Sequence, residues 1–351
     1  MSKLSRPQKG PNAIPKTGNQ PVTLGMVALA AGVSPSTVSR ILNGTAVVND
    51  LKKKAVDDAI ARLGFVPNPM ARGLAGGRTL SVGIVTQTID SPFYGPALRG
   101  IEDVLDPAGY SPLFVSGHWK IETEARCIEV LRSRRVDGII LLTGRLTDQA
   151  LKTHAKTLPM VVTGRQLKAP GLVSLNFDNF EGGRMATQHL IDQGHKRIAF
   201  ICGDPEQSDA TERLRGYRAA LEASKLPFVP SLVVPGGFQE YRGQDAVEHL
   251  TKTRQRYTAI FSANDQMAIG VVLALNRLGL QVPRDVSLIG FDDLPIASFV
   301  MPPLSTVHQP AYELGQLAAS AMLQLLAGTK PVIAMPLPRL VLRDSTSSIK
   351  P

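Results

Sequence analysis

Cysteine is nearly missing from this chain. Cys127 and Cys202 are the two in 351 residues, and they form no Cys-x-x-Cys pair. That excludes a disulfide-stapled scaffold and a thiolate metal or redox centre, and leaves two buried apolar thiols in a reducing compartment. No apolar run reaches the roughly 18–20 residues that span a bilayer. The N-terminus is basic and polar without an apolar h-region, so neither a secretory leader nor a membrane partner is expected, and the chain reads as cytoplasmic. Three enzyme signatures are missing too: the G-x4-GK[ST] phosphate loop, the G-x-S-x-G elbow and the HExxH zinc helix. The six histidines are scattered, and His118, beside Trp119, is the one placed to reach a cleft. Asp292 and Asp293 are adjacent, so on a strand their side chains diverge and make no acid/base pair. No enzyme, cofactor or metal is therefore expected.

The length calls for two or three domains, and at 43% hydrophobic residues they can bury substantial cores. Charge divides them. Through Arg78 there are 11 Lys and Arg against Asp50, Asp57 and Asp58, while the remainder holds 28 basic and 26 acidic residues. A basic first quarter on a near-neutral body suggests a polyanion-binding head on a separate globular module. Residues 1–20, rich in Pro, Gly, Lys and Asn without periodicity, read as a disordered basic tail.

The head carries the strongest local pattern. Residues 24–31 form a short apolar helix that Thr23 can cap, and Gly32 can end it in the left-handed conformation. A second helix starts on two independent signals, Ser34 as N-cap and Pro35 at the first helical position. Val38, Ile41 and Leu42 share its inner face, leaving Ser36, Thr37 and Arg40 outside. A third helix over residues 50–63 is capped by Asn49 and stopped at Gly64. Its Leu51, Ala55, Ile60 and Leu63 are expected to close a small core, with Lys52, Lys53 and Lys54 as a positive turn. Two short helices joined by a glycine turn, the second with a polar face, describe a helix-turn-helix.

The run Pro21-Val22-Thr23-Leu24 through Ser39-Arg40 resembles the LacI/GalR (lactose/purine repressor) family. So do Asn43-Gly44, Gly64-Phe65-Val66-Pro67-Asn68 and Ala71-Arg72-Gly73-Leu74, and the similarity extends to about Thr346. The resemblance implies an all-α helix-turn-helix head (21–67) and a hinge segment (68–78). An α/β two-lobed, periplasmic-binding-protein-like effector and dimerisation domain (79–346) then follows, built on two doubly wound parallel sheets. It implies DNA contacts from Thr23, Ser34, Pro35, Ser36, Thr37, Ser39, Arg40, Asn43, Asn68, Ala71 and Leu74. Pro35, Ser36 and Arg40 match the base-reading positions, and Leu74 matches the residue that wedges into the minor groove. Arg40 is the candidate for bidentate contact to guanine. The DNA partner is a near-palindromic double-stranded operator, because a homodimer mirrors its two-fold symmetry in its site. With no terminal heptad repeat, a dimer is expected rather than a tetramer.

From residue 80 the pattern alternates strand and helix, the mark of parallel doubly wound sheets. Strands are expected over 80–87, 112–116, 138–143, 160–164, 173–177, 197–202, 259–263 and 286–291. Helices are expected over 97–109, 182–194, 210–224, 266–279 and 311–326. Two such series suggest two lobes, about 79–174 plus 298–327 and about 175–297 plus 328–346, with crossings near Ser174, Pro295 and Gly328. Ligands in such folds bind beyond the carboxyl ends of strands. Those ends carry Phe93-Tyr94, Gly164-Arg165, Asp178-Asn179, Asn264-Asp265 and Asp292-Asp293, with Arg213 nearby. Carboxylates and guanidinium groups converging with aromatics suit a polyhydroxylated ligand. The resemblance gives Phe93 and Tyr94 stacking roles, makes Arg165 and Arg213 donors and Asn264 and Asp292 acceptors, and has Asp265 fixing the cleft or a hydroxyl. An interlobe ion-pair network, or helix capping by Asp178 and Asp265, is the alternative. The expected function is a DNA-binding transcriptional regulator, a repressor controlled by a sugar or sugar acid. The second reading is a cytoplasmic sugar sensor or enzyme that binds nucleic acid non-specifically.

Overall fold

A computed structural model of the chain describes residues 22–42, 49–66 and 78–349, and in the head hydrophobic periodicity and capping chemistry set the helices. Helix α1 (Leu24–Ala31) is capped by Thr23, whose hydroxyl accepts the Met26 N–H at 3.3 Å, and ends at Gly32 with φ 65°. Helix α2 (Pro35–Leu42) follows, bent 104° from α1. The Thr37 N–H donates to Ser34 Oγ at 3.2 Å, as an N-cap requires. Helix α3 (Asp50–Leu63) starts where Asn49 Oδ1 accepts the Leu51 N–H at 2.9 Å. Val27, Ala28, Val38, Val56 and Ala59 make the core, flanked by Leu24, Ile41, Ile60 and Phe65. Leu51 does not join it and is 76% exposed. It lies five residues before Val56, about 140° round the helix, so it faces away from the stripe that packs.

The chain divides at Thr79/Leu80 into two compact units. The second begins with β1 (Ser81–Thr86), α4 (Tyr94–Leu105), β2 (Ser111–Ser116), α5 (Ile121–Ser133), β3 (Gly138–Leu141), α6 (Asp148–Ala155), β4 (Met160–Thr163) and β5 (Leu172–Leu175). The strands form an all-parallel sheet in the order β2-β1-β3-β4-β5. Successive residues of β1 serve opposite faces. Val82 and Ile84 pack with Ile101 and Leu105 on one side, and Val85 packs with Ile128 and Leu131 on the other.

The second lobe runs through α7 (Asn179–Asp192), β6 (Ile198–Cys202), α8 (Ser208–Ala223), β7 (Val233–Pro235), α9 (Glu240–Lys252), β8 (Ala259–Ser262), α10 (Asp265–Arg277), β9 (Ser287–Asp292) and β10 (Ser305–His308). The chain then returns to the first lobe as α11 (Ala311–Leu326), which packs on α4, β3, β4 and β5. It ends in the second sheet as β11 (Arg339–Val341), giving the order β11-β10-β9-β8-β6-β7 with β11 antiparallel to β10. The crossing expected near Pro295 therefore lies between His308 and Ala311. Residues 305–308 pair in parallel with β9 (Ser305 opposite Ile289), so the segment from Phe299 through His308 belongs with the carboxyl lobe. The outer two crossings follow Leu175 and Leu326.

Candidate functional site

On the head, Ser34, Pro35, Ser36 and Arg40 are exposed, while Thr37 and Ser39 are half-buried. The hydroxyls are not all free to search. Ser34 Oγ lies 2.9 Å from both Ser36 Oγ and Thr37 Oγ1, so the cap organises the first turn of α2 and orients its polar edge. Thr23, Lys52, Lys53 and Lys54 are also exposed. Asn43, Asn68, Ala71 and Leu74 lie outside the described residues.

In the body, strand ends of the two lobes face a cavity of about 170 Å³. Phe93, Tyr94, Trp119 and Thr143 line it from the amino lobe, and Asp209, Arg213, Phe238, Asn264 and Asp292 from the carboxyl lobe. Five of the seven sequence-chosen residues thus meet there. Phe93 and Tyr94 stand edge to face with centroids 5.3 Å apart at the N-terminus of α4. Arg213 is the centre of the polar wall. Its Nε donates to Asn179 Oδ1 at 2.9 Å, one amino group to Gln309 Oε1 at 2.8 Å and the other to the Ala263 carbonyl. The guanidinium lies 3.7 Å over the Phe291 ring and 3.5 Å from Asp292 Oδ1. Asn264 caps α10, accepting the Met267 N–H at 3.0 Å and donating to the Phe238 carbonyl at 3.1 Å.

Arg165 and Asp265 are not on the cavity wall. Arg165 turns into its own lobe, donating to the carbonyls of Gly144 and Leu146 and reaching Asp148 at 3.3 Å. Unpaired carbonyls in the loop after β3 are its nearest acceptors, and a guanidinium fork satisfies two at once. Asp265 is fully buried behind the cavity, where it accepts from Thr306 Oγ1 at 2.7 Å and the Leu294 N–H at 2.8 Å. Burial holds its carboxyl well above the usual range. It ties α10 to β10. Asp178 is a cap, accepting the Glu181 N–H at 2.8 Å. Asp293 diverges from Asp292 and binds His308 Nδ1 at 2.8 Å and Arg343 at 2.7 Å. His118 is exposed, and its neighbour Trp119 takes the wall position.

Trp119, Asp209 and Phe238 were not singled out by the strand-end rule. Trp119 has φ 56°, and its backbone N–H donates to Gln87 Oε1 at 2.9 Å while Gln87 Nε2 donates to the Thr143 carbonyl at 2.8 Å. A buried glutamine thus holds the Trp119 backbone at the mouth of β1. Asp209 sits in the first turn of α8, with Oδ1 taking the Asn179 amide at 3.0 Å. Its pKa is raised, chiefly by burial against the pull of Arg213. Asp292 is pushed up to about 7 by burial, which outweighs the nearby Arg213. The lobes are also joined beside the cavity. Arg145, on the loop after β3, pairs with Asp204 and, at 2.8 Å, with Glu206 after β6.

Residues 23–68 match the bacterial regulatory proteins, lacI family, and residues 187–346 match the periplasmic binding protein-like domain. The chain is 34% identical over 334 residues to the HTH-type transcriptional repressor PurR of Haemophilus influenzae, covering 93% of this chain and 99% of that one. This chain belongs to the lacI family. To the ribose operon repressor of Escherichia coli K12 the lacI-family chain is 38% identical over 314 residues, 89% of its own length and 94% of the relative's. The lac repressor dimer bound to operator and the anti-inducer ONPF superimposes with a TM-score of 0.84 at 29% identity, covering 93% and 100% of the two chains. As a lacI-family member the protein is a DNA-binding transcriptional regulator, and the relatives named here are repressors. No single helix among the described residues is long and apolar enough to cross a membrane.

Proposed function

We propose that this lacI-family regulator is a cytoplasmic homodimeric repressor that reads a near-palindromic operator with α2. A small polyhydroxylated effector held between the lobes releases or strengthens that grip. Pro35 offers apolar contact, Ser36 a hydroxyl and Arg40 a fork for guanine, while Thr23, Ser34, Thr37, Ser39 and Lys52 to Lys54 attend to the backbone. The reading rests chiefly on one observation, the aromatic and carboxylate-lined cavity at the carboxyl ends of two parallel sheets. A ligand that prefers one lobe arrangement changes operator affinity by its differential affinity for the two states. Among the described residues that line this cavity no nucleophile is hydrogen-bonded to a base, which supports a binding rather than a catalytic role.

The test is operator selection from random duplex DNA, followed by titration against excess competitor at physiological salt. Specific binding should exceed non-specific binding by about 10³ or more. Binding that competitor DNA abolishes at equal weight would leave the non-specific sensor in its place.

A further inference from the structure

We propose that the amino lobe carries a second DNA-contacting surface, a row of cations along the edge where its strands begin, which grips the phosphates of duplex flanking the operator.

Charge is the first argument. Beyond Arg78 the chain is close to neutral, with 28 basic against 26 acidic residues. The two segments that lead into β3 and β4 depart from that balance. Residues 132–137 and 152–159 hold Arg132, Arg134, Arg135, Lys152 and Lys156 against Asp137 alone. Lys152 is half-buried and the other four cations are exposed. A helix end calls for one cation to complement its dipole, and Arg132 and Lys152, in the last turns of α5 and α6, meet that need. Arg134 and Lys156 stand at the C-caps of those helices and form no ion pair among the described residues. Folding does not use their charge.

Placement is the second. Strands β3 and β4 are neighbours, with Ile139 opposite Met160, so the two segments lie side by side about 4.8 Å apart. Arg132 Nη1 joins them by donating to Thr157 Oγ1 at 3.2 Å. The same edge receives the chain from the head. The Leu80 N–H donates to Asp137 Oδ2 at 2.8 Å, and the Asp137 N–H to the Ser81 carbonyl at 2.8 Å. The one carboxylate of the row is thus engaged at the entry to β1, two residues from Arg135. DNA gripped by the head is tethered to this edge by a short stretch of chain.

Chemistry is the third. Guanidinium forks and ammonium groups suit phosphate oxygens and need no particular base sequence. An exposed row of cations, unlike a pocket, fits a ligand whose charges recur along a line. An acidic protein would meet the same charges, but duplex DNA is the polyanion that this chain brings to the edge by its own head.

The experiment uses the full-length protein and two duplexes, the selected operator at about 20 base pairs and the same operator extended to about 45. Binding is measured from about 50 to about 200 mM salt. The parent should bind the extended duplex about tenfold more tightly, with a steeper salt dependence. The triple variant Arg134→Gln, Arg135→Gln, Lys156→Gln should match the parent on the short duplex and lose the gain on the long one. Its salt slope there should fall by about one for each phosphate contact removed. Native circular dichroism and an unchanged Tm verify that the variant folds. Lys225→Gln, Lys252→Gln and Arg254→Gln together, at exposed sites on the carboxyl lobe, control for net charge and should leave the gain in place. Equal binding of both duplexes by the parent, an undiminished gain in the first variant, or equal losses in the two variants would each overturn the inference. If selection yields no operator, the operator reading fails instead. The comparison then runs on random duplexes of the same two lengths and is judged by salt slope alone.

Discussion

Asp292 occupies an unusual backbone position, φ 109° followed by φ 58° at Asp293, and the two carboxyls part company there. One pins β10 and the segment after β11 through His308 and Arg343, and the other is left against Arg213 in the cavity. Because burial raises the folded pKa of Asp292 to about 7 from an ordinary 3.8, the native state binds its proton more tightly than the unfolded chain. Stability from this group is therefore fully present below pH 4 and declines as pH rises to about 7. His189 and His195, whose pKa values burial lowers, act in the opposite sense below about pH 6.5. The clean measurement is a difference. Between pH 4.5 and 7.5, Asp292→Asn should show a flatter fall of denaturant midpoint than the parent, and parallel profiles would contradict the assignment. On the head, Arg40→Ala should cost about 1–3 kcal/mol on the selected operator and relax specificity at one base pair in each half-site. An equal loss on every DNA sequence would instead make Arg40 a phosphate contact.

Among the helices, α7 and α8 cross so closely that a Cβ on Gly183 would stand 2.4 Å from the Arg213 carbonyl oxygen, and one on Gly216 2.1 Å from that of Phe180. That crossing sets where Arg213 leaves its backbone. Gly183→Ala should therefore destabilise by about 1–3 kcal/mol in urea and weaken the effector as well, since the guanidinium must shift. The strands that sequence made legible are those buried on both faces of a parallel sheet, such as Ser81–Thr86 and Ala259–Ser262, which read as continuous apolar runs. Ser305–His308 is buried but polar, and Arg339–Val341 is a short edge, so neither stands out as an apolar run. The charged helices Ile121–Ser133, Asp148–Ala155 and Glu240–Lys252 escaped for the same reason, since few apolar residues mark their inner faces. In the cleft, Phe93, Tyr94, Arg213, Asn264 and Asp292 were legible because strand-end geometry is a property of the fold class. Trp119, Asp209 and Phe238 depend on loop and helix placements that no local pattern encodes. Arg165 misled because nearer carbonyls claimed it.

Across the whole body, the lobes are joined covalently at three crossings and non-covalently where Arg145 meets Asp204 and Glu206. The loop that presents Arg145 is held firmly. Fully buried Glu124 accepts the N–H groups of Arg145 and Leu146 at 2.9 and 3.0 Å, and Arg165 holds the carbonyls on either side. A rigid mount carrying a partly exposed ion pair across a cleft favours the closed arrangement modestly. Arg145→Ala should lower effector affinity about two- to fivefold and enlarge the radius of gyration seen by solution scattering. An unchanged affinity would show that the pair only decorates a closure set by the ligand.

The return of the chain as α11 has a consequence for how the protein is made. Gly100 and Gly315 bring α11 so near α4 that a Cβ on either would strike the opposing backbone at 2.1–2.2 Å, and Met322 sits over Gly138. That helix leaves the ribosome only after the entire second sheet except β11 has been synthesised. At about 5–20 residues per second, the first sheet waits uncovered for on the order of ten seconds. A nascent chain arrested near residue 300 should then be cut readily by protease between residues 80 and 175. One arrested far enough on for α11 to have emerged should resist.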